Sequence, residues 1–281
     1  MDLIRKLLYI IGIVLLALFV IRGIFSIGYK KRVNKNINIL KMNQGSSLSK
    51  DITIKDIKHL PGNVQRWLIR SGIVGKKRNS YVYMEQKGEM RQDEKDDKWI
   101  FASSKQFAGI QMPAFVWQVK AAFIPFINMY GMDSFVDGVG SLEMRLFNLV
   151  KVANENDTVK VNQSSFSRYL LELSWYPEAA LNKNMKWEEI DKYTARVMMS
   201  SRGIVAEAYL YFSEDYDVIK TSAMRYKDTD ETGELLECVG ESKEFSVFDG
   251  VRIPSEIHIT WMLPEGEFTW YKLKVEKLSY T

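Results

Sequence analysis

Phe115-Val116-Trp117-Gln118-Val119-Lys120-Ala121-Ala122-Phe123 decides the fold. Phe115, Trp117, Val119, Ala121 and Phe123 fall on one side, with Gln118 and Lys120 on the other. A period of two over this length predicts a strand with one buried face. The pattern repeats outward. Residues 205–212 bring Ala206, Ala208, Leu210 and Phe212 together, and 253–263 bring Ile253, Ile257, Ile259, Trp261 and Leu263 together. Val82, Met84 and Met90 mark an earlier strand, and Trp99, Phe101 and Phe107 another. Turn signals separate the runs: Asp137-Gly138, Thr232-Gly233, Asp249-Gly250 and Glu265-Gly266.

Helical spacing is predicted in three places. Val64, Trp67 and Leu68 follow Pro61 and precede Gly72, giving a short helix over 61–70. Leu142, Leu146 and Leu149 predict a helix over 141–150. Phe166, Tyr169, Leu170 and Leu173 predict a helix from Ser164, broken near Ser174-Trp175-Tyr176 by Pro177 and followed by a helical turn to Leu181. The expected fold is α+β and mostly β: a long, curved antiparallel sheet with a few helices packed on one face. Such layering encloses an elongated apolar space.

Chemistry-bearing residues are scarce among the 281: one Cys and two His. A single Cys forms no internal disulfide, and one Cys with two distant His makes no common zinc site. Walker, dinucleotide and nucleophile-elbow motifs are absent. No cofactor, metal or catalytic residue is expected. The net charge of +4 is uneven. Residues 1–50 hold nine Lys/Arg and one acid, and the remainder holds 30 and 34. The body is therefore mildly acidic, which argues against nucleic acid as a partner.

Leu7–Ile21 has no charge, and Arg22 only briefly interrupts the apolar character that continues to Tyr29. Twenty-three helical residues at about 1.5 Å each reach across a hydrocarbon core. Arg5 and Lys6 precede the stretch, yet no small-residue cleavage site follows it. The expected organisation is a transmembrane anchor over 1–29, a polar basic linker over 30–55 and one β-rich domain over 56–281. The bilayer is the expected partner. Lys30, Lys31, Arg32 and Lys35 favour a cytoplasmic position for the domain.

Several blocks resemble an uncharacterised bacterial family. They are Leu60-Pro61 with Val64-Gln65-Arg66-Trp67-Leu68, Met112-Pro113 with Phe115-Val116-Trp117, Asp133-Ser134 with Val136-Asp137-Gly138, Leu173-Ser174-Trp175-Tyr176-Pro177, and Phe248-Asp249-Gly250-Val251-Arg252-Ile253-Pro254. The pattern is similar to the LolA-like half-barrels, in which a curved sheet carries helices in its concavity and binds lipid or acyl chains. The resemblance implies an apolar ligand, helices on the concave face and a position on the outer side of the membrane, opposite to the Lys/Arg count.

Trp117, Phe135, Trp175, Tyr176 and Trp261 are candidate cavity-lining aromatics, with plain core as the alternative. Asp133, Asp137, Arg168 and Glu172 are candidate polar handles. Against that, Asp137-Gly138 reads as a hairpin turn, and Arg168/Glu172 as an ordinary i, i+4 pair. Three functional classes follow: a membrane-tethered, non-enzymatic module for lipid or another apolar ligand; a solid-core sensor or scaffold acting through protein contacts; and an enzyme running on carboxylates.

Overall fold

A computed structural model describes residues 2–45, 50–124, 127–147, 149–230 and 232–281. Ser46 and Ser47 of the expected linker, and the side chains of Arg22 and Phe123, lie outside the described residues.

Thirteen strands among the described residues form one antiparallel sheet. One wing runs β1 (Tyr81–Met90), β2 (Ile100–Gly109), β3 (Phe115–Ile124), β4 (Ile127–Val136), β5 (Val139–Leu146) and β6 (Val150–Asn156). The other runs β7 (Lys186–Asp191), β8 (Thr194–Ser201), β9 (Ile204–Phe212), β10 (Val218–Tyr226), β11 (Leu235–Phe248), β12 (Val251–Leu263) and β13 (Gly266–Tyr280). β1 and β13 pair at the seam, leaving β6 and β7 as the edges. The long curved open sheet expected from the alternation is present. Its hairpins are tight because Asp137-Gly138, Arg202-Gly203 and Asp249-Gly250 each place two successive residues at positive φ, the backbone twist that suits a two-residue hairpin.

Among the described residues, four helices, α1 (Asp2–Asn43), α2 (Ile54–Ile57), α3 (Gly62–Arg70) and α4 (Val159–Leu171), accompany the sheet. In α3 the buried Val64, Trp67 and Leu68 pack as expected, with Trp67 against Trp187 and Phe212. α4 starts earlier than its apolar spacing suggests, because the Thr158 hydroxyl accepts from Val161 N and caps it. Two 3-10 turns, Leu173–Trp175 and Pro177–Leu181, complete the broken passage. Together these residues carry the chain from edge strand β6 to edge strand β7. The sheet closes on α4 from both wings: Gly140 N donates to Asn162 Oδ1, and Ser164 Oγ donates to the Tyr226 carbonyl.

The helix expected over 141–150 is a hairpin of β5 and β6. Leu142 and Leu146 fit a period of two as well as a helical one, and pairing with β4 selects the strand.

The N-terminus departs most from expectation. Among the described residues no helix is long and apolar enough to cross a membrane, so the anchor expected over 1–29 is not shown. Instead, one helix of 42 residues runs through both the expected anchor and most of the expected linker. Its second half is docked. Tyr29, Val33, Ile37 and Leu40 are buried against Ala114, Val116, Met132 and Val136. These strand residues alternate with Phe115, Trp117 and Phe135, so α1 lies on the convex face, opposite α4. Arg32 reaches Glu143 at 2.8 Å, and Arg145 pairs with the same carboxylate. Gln44 closes the contact by accepting from Gln111 N and Met112 N, both at 2.9 Å. Among its described side chains, the first half of α1 exposes many apolar ones, Ile4, Leu7, Ile13, Leu16, Ile24 and Ile27 among them.

Candidate functional site: an apolar pocket under α4

The space between α4 and the concave face is hollow, with a cavity of about 510 Å³. Ligand pockets fall in this size range. Its walls are alternate residues of several strands: Met90 of β1, Met129 of β4, Leu142 and Met144 of β5, and Ile259 and Trp261 of β12. α4 supplies Val161, Arg168 and Leu171.

A polar cluster sits against one wall. The Arg168 guanidinium donates to Asp133 Oδ2 and Glu172 Oε1, each at 2.7 Å, and to Gln106 Oε1 at 3.3 Å. Gln106 in turn donates to Glu172 Oε2 at 2.5 Å. The guanidinium also lies 4.7 Å from the Phe115 ring centre and 5.0 Å from that of Trp117. Burial by itself would lower the Arg168 pKa. The charges and hydrogen bonds of Glu172 and Asp133 outweigh burial and hold it above its ordinary value. The cluster therefore fastens α4 to β2 and β4 with its polar atoms mutually satisfied.

A second cluster lies beside it. Gln86 Oε1 accepts from Ser104 Oγ at 2.7 Å and Trp117 Nε1 at 3.4 Å. The Tyr271 hydroxyl lies 3.3 Å from Ser104 Oγ, and burial pushes its pKa up to about 12.

Arg225 differs from Arg168. Its Nε donates to the Ser164 carbonyl, one Nη contacts Cys238 Sγ at 3.7 Å, and the guanidinium stands 5.6 Å from the Trp261 ring centre. It has no carboxylate in ion-pair range among the described residues. Toward the mouth, Arg91 Nε and Trp270 Nε1 are buried donors without a hydrogen-bond partner. Gln92, Val152 and Asp228 form the exposed rim.

Of the expected lining aromatics, Trp117, Trp175 and Trp261 face the pocket. Phe135 stacks on Phe166 with centroids 5.1 Å apart and is solid core. Tyr176 is also core, its hydroxyl donating to the Tyr169 carbonyl. Of the expected polar handles, Asp133, Arg168 and Glu172 are brought together at the wall. Asp137 is not with them: it occupies the β4–β5 turn and lies 3.4 Å from Arg202. The alternation of Thr221, Ala223 and Arg225 along β10 was the signal that could have pointed to Arg225. Among the described residues no three His, Cys, Asp or Glu side chains gather into a metal-binding group.

An open antiparallel sheet folded around one helix, with an apolar hollow between them, is the class of protein that this geometry defines. The chain belongs to the DUF6920 family, a family of unknown function, whose model matches residues 58–280. Among solved structures, it is similar to a LolA superfamily protein from Nitrosomonas europaea, with 10% identity, 78% of this chain and 93% of that chain covered, and a TM-score of 0.43. It is also similar to a DUF1329 family protein from Desulfovibrio piger, with 9% identity, 78% and 91% coverage, and a TM-score of 0.38. No curated protein matches the sequence.

Proposed function

We propose that the protein is a membrane-associated, non-enzymatic module that holds a lipid or another ligand with an apolar chain in the pocket under α4. The carrying observation is the hollow itself, about 510 Å³, whose wall combines Met, Leu, Ile and Trp side chains with a smaller exposed polar surface. Apolar wall left without packing partners forfeits contacts that a ligand's chain would restore. A solid-core scaffold would have no reason to keep it.

Arg225 supplies the polar end of the recognition. A half-buried guanidinium with no carboxylate partner among the described residues favours an anionic head group, and the unpartnered Arg91 Nε and Trp270 Nε1 favour acceptor atoms near the mouth. The non-enzymatic reading is supported by the engagement of Asp133 Oδ2 by Arg168 and of both Glu172 oxygens by Arg168 and Gln106. Membrane association is supported by the exposed apolar first half of α1, since so long a run of exposed Ile, Leu and Val is far beyond what a water-facing helix carries.

The test is a titration of the full chain, in nonionic detergent, with a fatty acid bearing a fluorescent chain. Saturable binding that is weakened severalfold by Ile259→Trp, which narrows the hollow from β12, supports the proposal. Binding unchanged by that substitution, or no saturable binding, contradicts it.

A further inference from the structure

We infer that the pocket opens directly onto the lipid surface in which α1 is embedded, so that its ligand enters from a phospholipid bilayer and not from water. The inference rests on the proposed lipid contact of α1 and concerns how the pocket is presented to it.

The register of the sheet fixes which end is which. Pairs Ala102–Ala121, Ala121–Met129, Met129–Leu146 and Leu146–Val150 align Ile100, Ile127 and Val150 at one end. Gln92 and Val152 of the pocket rim belong to that same end. The opposite end carries Met112 and the Asp137-Gly138 and Asp249-Gly250 turns.

The contacts of α1 descend along this axis. Gln44 is bound at Gln111 and Met112, on the closed end. Asn36 meets Ser134 at 3.4 Å, Arg32 meets Glu143, and Tyr29 meets Gly131. Phe25 lies 5.8 Å below the Arg145 guanidinium. As the residue number falls, the helix therefore travels toward the rim and leaves the sheet there. Residues 4–27 of the helix then extend for about 36 Å at 1.5 Å per residue.

The depth is marked as well. Exposed Lys30 and Lys31 stand where the apolar half ends, at the level of Tyr29 and Gly131. Lysines at such a boundary sit among phosphate head groups. From Gly131 the strand β4 has only four more residues, Tyr130 to Ile127, before its end, roughly 14 Å at strand rise. The rim end thus meets the head-group region. It also carries exposed apolar side chains, Phe101 on the convex face and Val150 and Val152 on the edge strand.

The experiment attaches an NBD fluorophore to single cysteines in the full chain bound to phosphatidylcholine vesicles containing lipids spin-labelled near the head of the acyl chain. Cys238 is buried and stays unlabelled. Phe101→Cys and Val152→Cys report the rim end, and Met112→Cys and Val247→Cys, equally apolar and exposed, report the far end. We expect severalfold stronger quenching at 101 and 152 than at 112 and 247. Equal quenching at both ends, stronger quenching at the far end, or none at any position overturns the inference. Rim quenching together with a pocket that binds no chain would leave the orientation standing and remove the proposed function. A binding pocket without rim quenching would do the reverse.

Discussion

The Tyr29 hydroxyl donates to the carbonyl oxygen of Gly131 at 2.8 Å, joining residues 102 positions apart. Gly131 belongs to β4, whose Met129 and Asp133 line the pocket. A helix bound to the outside of a strand and a cavity on its inside thus share one wall.

Removing the docked part of α1 strips cover from Ala114, Val116, Met132 and Val136. A chain cut before Ile54, at the edge of the expected linker, is predicted to unfold at lower denaturant than one cut just before Gly28. Leu40→Ala, at a fully buried site, is predicted to cost about 2–5 kcal/mol in the full chain. Urea unfolding followed by tryptophan fluorescence measures both.

Arg168→Met leaves Asp133 and Glu172 buried beside an apolar chain. Breaking such a cluster costs about 3–5 kcal/mol. Adding Asp133→Asn and Glu172→Gln removes the uncompensated charge and is predicted to restore part of the loss. Thermal unfolding of the single and triple variants checks this, and a triple variant no more stable than the single one would contradict it.

Glu143 carries a pH dependence. Burial acts to raise its pKa, but the hydrogen bonds and charges of Arg145 and Arg32 outweigh this and hold it below the usual carboxylate value. A carboxyl with a lower pKa in the folded state stabilises the fold above its unfolded pKa and loses that contribution as pH falls through its folded pKa. Glu143→Gln is therefore predicted to be destabilising at pH 7, by about 1–3 kcal/mol. The gap from the parent should shrink as pH falls below about 4. Melting temperatures of both proteins from pH 7 to pH 3 give the comparison.

Arg225→Met is predicted to weaken binding of a fatty acid about tenfold, a change of about 1.4 kcal/mol. The fatty alcohol of the same chain length should bind almost unchanged. Competition against the fluorescent chain reads both affinities.

The sheet was legible wherever one face is buried and the other wet, as at Phe115–Ala121, because solvent imposes the period of two. It was illegible at Leu142 and Leu146, which fit both periods, so that only pairing with β4 decides. The docked half of α1 could have been found. Tyr29, Val33, Ile37 and Leu40 are spaced by four, four and three, an amphipathic stripe masked by the Lys and Asn between them. In the site, alternation picked out Trp117 and Trp261. It could not separate them from Phe135, which points to the same concave side but is covered by Phe166. Asp133 and Asp137 are only four residues apart, yet β4 ends at Val136 and Asp137 lies in the turn, so Asp133 alone reaches Arg168.

The central claim, a chain-shaped apolar ligand held under α4, is tested most directly by native mass spectrometry of the full chain released from membrane extracts. A bound amphiphile at one per chain is expected in the parent and depleted in Ile259→Trp, with its identity given by lipid extraction. A parent that emerges unliganded, and that takes up no lipid when offered vesicles, would contradict it.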